Sequence, residues 1–560
     1  MKTVSIGNDE FESIRSKDCF YVDKTAFIKE WWESEDKVTL ITRPRRFGKT
    51  LNMNMLNCFF STRYAGRGEL FDGLAIWQNE KYKKIQGTYP VIFLTFADVK
   101  ANYYEGAVAA IKQNITVLYN QNDFLLKENL LTEKEKTQFN AVQFDMDDSI
   151  AATAIRFLME YLNRHYRKKV ILLLDEYDTP LQEAYVSGYW DEMAAFTRSL
   201  FNTAFKTNPY LERAIMTGIT QVGKESIFSD LNNLKVVTAI SNEYAESFGF
   251  TEEEVFAALE EAGIPEKKKE VKAWYDGFTF GECHDIYNPW SITNFLKSRK
   301  IAAYWADTSS NALAGTLIAS GSPKVKLMME DLLNGNPITV EMDEQIVFNQ
   351  LENEENAIWS MLLASGYLRA EHWEFQLETG ACLYTLTLTN REVTSMFRKM
   401  IKNWFQKSSA NYNEFIDALL NCDLKAMNHY MNDIALTTFS FFDTGNNPSR
   451  KNEPERFYHG FVLGLLVELR GQYEVLSNRE SGYGRYDIML RPVKKEAPAY
   501  ILEFKVHDKE DEQTLQDTVA SAKKQIEDKN YQAELINLGI PPEQIRKYGF
   551  AFEGKRVLIG

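Results

Sequence analysis

Short apolar runs alternate with longer amphipathic stretches over the first 240 or so residues of the chain. Four runs rich in β-branched or aliphatic residues predict strands at 38–42, 91–95, 170–174 and 214–217. Because these runs contain almost no polar alternation, they are typical of central strands buried on both faces. Strands that alternate with helices indicate a parallel sheet wrapped by helices, so residues 1–240 are predicted to form an α/β domain.

Helical character dominates the middle of the chain, where we expect a lid or linker region at 241–342 and a further region at 343–442. The second region contains a predicted helix at 355–365, then a hairpin around 378–381, then a helix at 390–405. A helix followed by a β-hairpin is compatible with a winged helix. A helical linker region with a small sheet explains the same pattern.

The polar, turn-forming segment 443–450 separates a last domain, which we place at 451–560. Two runs in this domain predict strands at 484–490 and 499–506, and a turn with two prolines joins them. A helix follows the second strand. The last domain is therefore also expected to mix helices and sheet.

Composition mainly excludes classes of protein. Five widely spaced cysteines without a CxxC pair exclude a disulfide scaffold and a zinc ribbon, and they fit a reducing cytoplasm. No apolar run approaches the roughly 18 residues of a membrane span, and the first residues lack a secretory signal. The net charge of −15 discourages non-specific coating of nucleic acid, but the last domain is nearly neutral, so charge neither requires nor forbids such a partner.

The segment 41–50, Ile-Thr-Arg-Pro-Arg-Arg-Phe-Gly-Lys-Thr, lies between a predicted strand and a predicted helix. A nucleotide phosphate chain needs backbone N–H groups at a helix N-terminus, a flexible cation and a hydroxyl for magnesium. Gly48, Lys49 and Thr50 supply these groups, and Arg46 is a further expected contact. The usual pattern is GxxxxGK[ST], and Arg43 stands where its first glycine belongs.

A second motif supports the nucleotide site. The apolar run from 170 ends in Asp175 and Glu176, which fits a buried strand that delivers carboxylates at its carboxyl end. We expect Asp175 to hold magnesium through water and Glu176 to polarise the attacking water; a buried strand capped by two solvated acids is the alternative. Thr217 would lie near the γ-phosphate, whereas Arg213 is either a charge partner there or an ordinary surface arginine.

The last domain offers a second set of chemical groups. Side chains alternate along a strand, so Glu503 and Lys505 share one face, and a hairpin would bring Asp487 within reach of them. Two carboxylates and a lysine are typical of a magnesium-dependent phosphodiester hydrolase. The following helix could project Lys524 and Gln525 toward this site or toward DNA. On spacing alone, however, D…ExK matches many ordinary strands.

Several short motifs occur together along nearly the whole chain. They are YVDKT at 21–25, RPRRFGKT at 43–50, LDEYD at 174–178, TGIT at 217–220, WYDGF at 274–278, YNPWS at 287–291, FYHG at 457–460, GRYD at 484–487, EFK at 503–505 and QIEDKNY at 525–531. In this combination the chain resembles a bacterial family of AAA-ATPase-like proteins with a C-terminal nuclease domain of the PD-(D/E)xK superfamily. The family's phosphate loop looks like this one, so Arg43 is a family trait.

The resemblance implies roles for individual residues. It makes Asp487 and Glu503 metal ligands, Lys505 the catalytic lysine and Gln525 a helix-borne auxiliary residue. It also implies a further acidic ligand in the helix before the sheet, for which Glu455 is the candidate.

Two features of that assignment depart from a simple match. Glu468 competes with Glu455 for the role of the further ligand, and Tyr486 stands where the superfamily's named proline would precede the first acid. The missing proline is a frequent variation in the superfamily. It therefore weakens the resemblance only slightly.

These inferences predict an α/β multidomain protein with an N-terminal P-loop NTPase domain, a helical middle and a C-terminal restriction-endonuclease-like domain. The leading hypothesis is an ATP-dependent, DNA-directed nuclease that uses ATP and Mg²⁺, or Mn²⁺ at the nuclease site. The alternative is a regulatory NTPase whose last domain binds nucleic acid or a protein partner without cutting. NTPases of this type often use an arginine from a neighbouring subunit, so a homo-oligomer is a further expectation.

Overall fold

The computed structural model describes residues 2–127, 130–221, 227–228, 231–306, 314–315, 317–318, 322–342, 355–406, 409–438, 458, 462, 466, 469, 471–477, 480–481, 484–494, 497–508 and 512–560. The chain forms two compact units. The first comprises Met1–Ala314 and Pro337–Thr394, and the second comprises Gly315–Asn336 and Ser395–Gly560.

A five-stranded parallel sheet forms the centre of the first unit. Its strands are β1 (Val38–Thr42), β2 (Val91–Thr95), β3 (Val170–Asp175), β4 (Leu211–Gly218) and β5 (Leu234–Val237), in the spatial order β2-β3-β4-β1-β5. The four predicted strands are confirmed, and β1 and β3 are buried along their whole length, which explains their uninterrupted apolar runs. β5 escaped prediction because it is four residues long and carries an exposed lysine.

Helices of the first unit lie before and between these strands in the sequence. They are α1 (Phe11–Ser16), α2 (Ala26–Glu33), α3 (Lys49–Phe60), α4 (Glu80–Lys83), α5 (Tyr104–Asn120), α6 (Phe124–Lys127), α7 (Glu133–Asn140), α8 (Asp148–Tyr166), α9 (Thr179–Ser187) and α10 (Trp190–Phe205). Helices α3, α5 and α8 pack against the strands, and α10 packs against α8. The fold of this part is therefore the predicted sheet wrapped by helices.

The next segment of the first unit mixes helices with a small antiparallel sheet. It consists of β6 (Phe250–Thr251), α11 (Glu252–Glu261), α12 (Lys268–Tyr275), β7 (Asp276–Phe280), β8 (Cys283–Tyr287) and α13 (Pro289–Ser298), with strand order β6-β8-β7. The sequence indicated its helices but not its strands. The strands are short and carry the bulges that interrupt a regular alternation.

The following elements complete the first unit and enter the second. They are α14 (Pro323–Asn334), β9 (Ile338–Glu341), α15 (Glu355–Ala364), β10 (Leu368–Phe375), β11 (Cys382–Leu388) and α16 (Arg391–Gln406). β10 and β11 form the predicted hairpin, and β9 adds a third antiparallel strand in the order β10-β11-β9. The helix predicted at 355–365 is α15, which precedes the β10–β11 hairpin as expected.

The second unit has its own five-stranded sheet, in the order β12-β15-β16-β17-β18. Its elements are α17 (Ser409–Leu420), α18 (Leu424–Thr438), β12 (Tyr473–Ser477), β13 (Glu480–Ser481), β14 (Gly484–Arg485), β15 (Ile488–Pro492), β16 (Ala499–Val506), α19 (Leu515–Asp528), α20 (Ala533–Asn537), β17 (Ile545–Glu553) and β18 (Arg556–Ile559). Only β16 and β17 pair in parallel. Helix α19 packs on these two strands, and α18 packs against β18.

The prediction of one strand over 484–490 is wrong. The structure has β14 and β15 there, and they belong to different sheets. The break falls at Tyr486 and Asp487, between a two-residue hairpin and the main sheet. No helix in the described part of the chain has the length and apolar character needed to span a bilayer.

Candidate nucleotide and metal sites

The phosphate loop joins the carboxyl end of β1 to the first turn of α3. Gly48 precedes the helix in the left-handed region with φ +79°, a conformation that glycine adopts without strain. Arg46 is also left-handed, with φ +65°. The N–H groups of residues 45–51 donate no hydrogen bond within the part of the chain that the structure describes. The loop therefore has the donors that an anion would need.

Lys49 lies beneath this loop. Its side chain is buried, and the Nζ atom donates to the carbonyl oxygens of Arg43 and Pro44, each at 2.8 Å. Burial lowers the pKa of the Lys49 ammonium, although nearby carboxylates oppose this effect. Hydrogen bonds to two carbonyl oxygens of the loop thus hold the Lys49 amine at the loop.

Arg43 does not enter the loop, although it occupies the position of the first glycine. Its guanidinium is 0% exposed, donates to the carbonyl oxygens of Thr42 at 2.9 Å and Thr238 at 2.6 Å, and lies 4.4 Å from the ring centroid of Phe280. Burial lowers the pKa of Arg43 to about 9. Arg43 therefore fastens the loop to the segment that follows β5.

Asp175 connects the three central strands of the parallel sheet. Its Oδ2 accepts a hydrogen bond from Thr50 Oγ1 at 2.8 Å, and its Oδ1 accepts one from Thr217 Oγ1 at 2.5 Å. β4 lies between β1 and β3, so the ends of all three strands meet at this carboxylate. Burial raises the pKa of Asp175, while the two hydroxyl donors lower it.

Glu176 follows Asp175 in a left-handed conformation, with φ +51°. Its backbone N–H donates to Thr217 Oγ1 at 3.4 Å, and its Oε2 accepts from Thr179 Oγ1 at 3.2 Å. The half-buried side chain therefore lies at the same edge of the sheet as Asp175. The Arg46 guanidinium lies over the Trp290 ring, 4.4 Å from the ring centroid.

Asp178, to which no role was assigned from the sequence, is buried at the same edge and accepts several hydrogen bonds. Its Oδ2 accepts from Ile219 N, from Thr220 N and Oγ1, each at 2.9 Å, and from Gln182 Nε2 at 2.8 Å. These bonds hold the segment after β4 next to the end of β3. The last acid of the LDEYD motif was the available signal.

Neither expectation for Arg213 is correct. The side chain is buried near the start of β4, donates to the carbonyl oxygens of Trp31 and Trp32, and lies 4.2 Å from the ring centroid of Trp32. Arg213 lies near the start of β4 and Thr217 near its end. The Arg213 guanidinium therefore contacts α2 and lies away from the carboxylates.

In the second unit, Asp487 and Glu503 face each other across neighbouring strands. Ile488 pairs with Leu502 in the antiparallel register of β15 and β16, so Asp487 stands opposite Glu503. Asp487 Oδ2 accepts the backbone N–H of Phe504 at 2.8 Å, and Glu503 is only 2% exposed. Carboxylate oxygens are the ligands that Mg²⁺ and Mn²⁺ prefer, so this pair fits a divalent ion.

Three further side chains surround this carboxylate pair. Gln525 of α19 donates its amide N–H to Glu503 Oε1, and Tyr531 donates its hydroxyl to the Arg485 carbonyl at 2.7 Å. Burial and the charges of Glu503 and Asp487 raise the pKa of the Tyr531 phenol. Lys505 is half-buried, two residues beyond Glu503 on the same face of β16.

The remaining expectations for the last domain have different outcomes. Glu455 and Glu468 lie outside the described residues. Lys524 is exposed on α19. The sequence missed Tyr531 as a neighbour of the carboxylates, although the QIEDKNY motif contains it.

A separate acidic group lies in the first unit. Carboxylate oxygens of Glu252, Asp276 and Asp285 are all within 4.8 Å of one another. The Lys272 amine forms an ion pair with each of the three, which supplies positive charge between them. The cluster therefore contains one amine among three carboxylates.

Comparison with known proteins identifies a domain family at each end of the chain. An uncharacterized protein in the vnfD 5'region of Azotobacter chroococcum mcd 1 is 26% identical over 314 residues, which are 55% of this chain and 54% of that protein. The chain therefore spans about half the length of this curated relative. Residues 5–228 match the family of predicted AAA-ATPases, and residues 453–560 match the PD-(D/E)XK nuclease superfamily. The resemblance inferred from the motifs is thus confirmed, and the chain carries a predicted AAA-ATPase domain followed by a PD-(D/E)XK nuclease superfamily domain.

Proposed function

We propose that the protein binds and hydrolyses ATP with Mg²⁺ and cleaves DNA phosphodiester bonds with its C-terminal domain. The nuclease site would use Mg²⁺ or Mn²⁺. The observation that carries this proposal is the buried carboxylate of Glu503, which stands opposite Asp487 and two residues from Lys505. A buried carboxylate that faces a second acid is costly unless a cation compensates the charge.

The nucleotide half follows from the edge formed by β1, β4 and β3. The N–H groups of residues 45–51 would hold the phosphate chain, and Lys49 would neutralise its charge. A magnesium ion bound with the nucleotide supplies positive charge between the phosphates. Thr50 and Asp175 would hold that ion, Glu176 would orient the attacking water, and Thr217 would keep Asp175 in place.

The nuclease half follows from the face of β16. A divalent ion bound by the two carboxylates supplies an activated water and stabilises charge on the phosphate. Asp487 and Glu503 would hold the ion, and Gln525 would orient Glu503. Lys505 would donate to the phosphate oxygen as negative charge grows on it.

The decisive experiment is a cleavage assay. Wild-type protein is incubated with single- and double-stranded DNA and with Mg²⁺ or Mn²⁺, in the presence and absence of ATP. We expect metal-dependent products that disappear in the Glu503→Gln and Lys505→Ala variants. Glu527→Gln is the matched control, because Glu527 is an exposed acid of α19 that pairs with Lys547.

Two results would contradict this function. If wild-type protein leaves all substrates intact while it still hydrolyses ATP, the last domain is a binding module of a regulatory NTPase. If the Glu503→Gln variant cuts as fast as wild type, another group performs the reaction.

A further inference from the structure

Two side chains from the segment after β5 hold one carbonyl of the phosphate loop. The indole N–H of Trp305 donates to the Arg45 carbonyl oxygen at 3.0 Å, and the Asn288 side-chain amide donates to the same oxygen at 3.4 Å. Trp305 is 2% exposed and Asn288 is 1% exposed. The Arg45 carbonyl is therefore engaged by two donors that lie outside the loop.

Both donors are themselves held rigidly. The Asn288 Oδ1 atom caps α13 by accepting the N–H groups of Trp290 at 2.9 Å and Ser291 at 3.2 Å, which leaves its amide for Arg45. The Trp305 backbone N–H donates to Glu392 Oε1 at 2.6 Å. The Trp305 ring lies 5.5 Å from the Phe278 ring, between centroids.

The hydrogen bonds to the Arg45 carbonyl also orient the next N–H group of the loop, because of the geometry of the peptide group. The amide between Arg45 and Arg46 is planar and trans, so its C=O and N–H bonds point in opposite directions. Donors that hold the Arg45 carbonyl on one side therefore aim the Arg46 N–H to the other side. Arg46 is left-handed without being glycine, a conformation that costs free energy and persists when its surroundings impose it.

We propose that Trp305 and Asn288 are positioning residues for phosphate binding, which fix the loop from outside in place of its missing first glycine. The Arg43 side chain and the Lys49 amine hold the preceding part of the same loop. Through the Arg45 carbonyl, Trp305 and Asn288 orient the N–H group of Arg46. This inference rests on the proposed nucleotide binding and extends it to residues far along the chain.

Trp305→Phe tests the inference, because it removes the indole N–H and keeps an aromatic ring beside Phe278. We expect ATP to bind about two- to tenfold more weakly, the effect of one lost hydrogen bond. Affinity for adenosine, which has no phosphate, should stay at the wild-type value. Trp274→Phe is the matched control: the Trp274 Nε1 atom has no hydrogen-bond partner in the described part of the chain, so its affinity for ATP should not change.

Asn288→Asp provides a second variant that keeps the capping oxygen and removes the donor to Arg45. It should weaken ATP binding by a similar factor. Asn390→Asp is its control, because Asn390 also caps a helix through Val393 N and donates its amide elsewhere, to the Tyr275 carbonyl. If Trp305→Phe fails to fold, Asn288→Asp decides the question.

The outcomes separate this inference from the function on which it rests. Wild-type protein that does not bind ATP would remove the proposed nucleotide site itself. Wild-type protein that binds ATP, together with unchanged ATP affinity in Trp305→Phe and Asn288→Asp, would overturn the positioning role alone. Equal losses for ATP and adenosine would also overturn it, because they would indicate a general structural effect.

Discussion

The two candidate sites differ in how their acidic groups are accommodated. In the first unit, Asp175 accepts hydroxyl hydrogen bonds from Thr50 and Thr217, and Lys49 donates to carbonyls of its own loop. In the second unit, Asp487 and Glu503 oppose each other across two strands. The nucleotide site is thus prearranged by neutral and cationic partners from its own unit, whereas the other site concentrates negative charge.

From this difference we expect the two sites to respond differently to their ligands. The groups of the candidate nucleotide site are already joined by hydrogen bonds, so we expect its affinity for a phosphate chain to depend on how well the loop is held. The carboxylate pair of the second unit gains most from a cation, because an opposite charge relieves the repulsion between the acids. Substitutions in the two sites should therefore act on different quantities.

Replacement of Lys49 should have the largest effect on the prearranged site. Lys49→Ala removes the cation expected at the phosphates, so we expect ATP binding and hydrolysis to fall about a hundredfold or more. Lys37→Ala is the matched control, since Lys37 also donates to two backbone carbonyls, those of Leu211 and Glu212, at the opposite end of β1. Nucleotide titration and phosphate release measure the effect. Unchanged affinity in Lys49→Ala would show that the loop is misplaced.

Replacement of Gln525 should have a smaller effect, confined to the other site. Gln525→Ala removes the amide that donates to Glu503, so metal-dependent cleavage should fall about tenfold while ATP hydrolysis stays unchanged. Gln516→Ala, an exposed position on the same helix, should cleave like wild type. Titration of the cleavage rate with Mn²⁺ should show a higher half-saturating concentration for Gln525→Ala. An equal half-saturating concentration would argue against an orienting role.

Neutralising Asp175 should separate stability from ligand response. Burial raises the pKa of Asp175, so its charged form costs free energy in the folded protein at neutral pH. Asp175→Asn should therefore raise the melting temperature of the ligand-free first unit, by about 2–4 °C if the gain is about 1 kcal/mol. The same variant should lose the further rise that Mg²⁺ and ATP produce in wild type. A lower melting temperature without ligand would contradict the reasoning.

The smallest effect is expected at the acidic cluster with Lys272. Burial and the charge of Asp285 raise the pKa of Asp276 to about 7, above its ordinary value. The folded state therefore holds the Asp276 proton more tightly than the unfolded state does. The stability of the protein falls as the pH rises from the ordinary pKa of an aspartate to about 7. Asp276→Asn should remove this loss and melt about 2 °C above wild type at pH 8, with a smaller difference at pH 5. A difference that grows toward pH 5 would reverse the sign and refute the assignment.

The parts of the fold that the sequence predicted well are those determined by local pattern. Continuous apolar runs identified β1 to β4, and Gly48, Lys49 and Thr50 located the loop before α3. Alternation along one strand placed Glu503 and Lys505 on the same face. The matches to both families support the predicted fold of the first and last domains.

The remaining features depend on contacts between distant parts of the chain. Nothing near Arg213 indicates that its guanidinium packs on Trp32, more than 150 residues earlier. Likewise, the Trp305 indole reaches a carbonyl 260 residues away in sequence. Such partners cannot be derived from periodicity or spacing, because tertiary packing selects them.

The buried guanidinium of Arg43 bears on where this protein can be divided. Its acceptor at Thr238 and its aromatic neighbour Phe280 both lie beyond residue 228, where the match to the predicted ATPases ends. A fragment that ends at residue 228 would lack both partners. The Arg43 guanidinium would then be exposed to solvent, and the loop between β1 and α3 would lose the hydrogen bond to Thr238. We therefore expect residues 5–228 to be less stable alone than with the downstream segment in the same polypeptide.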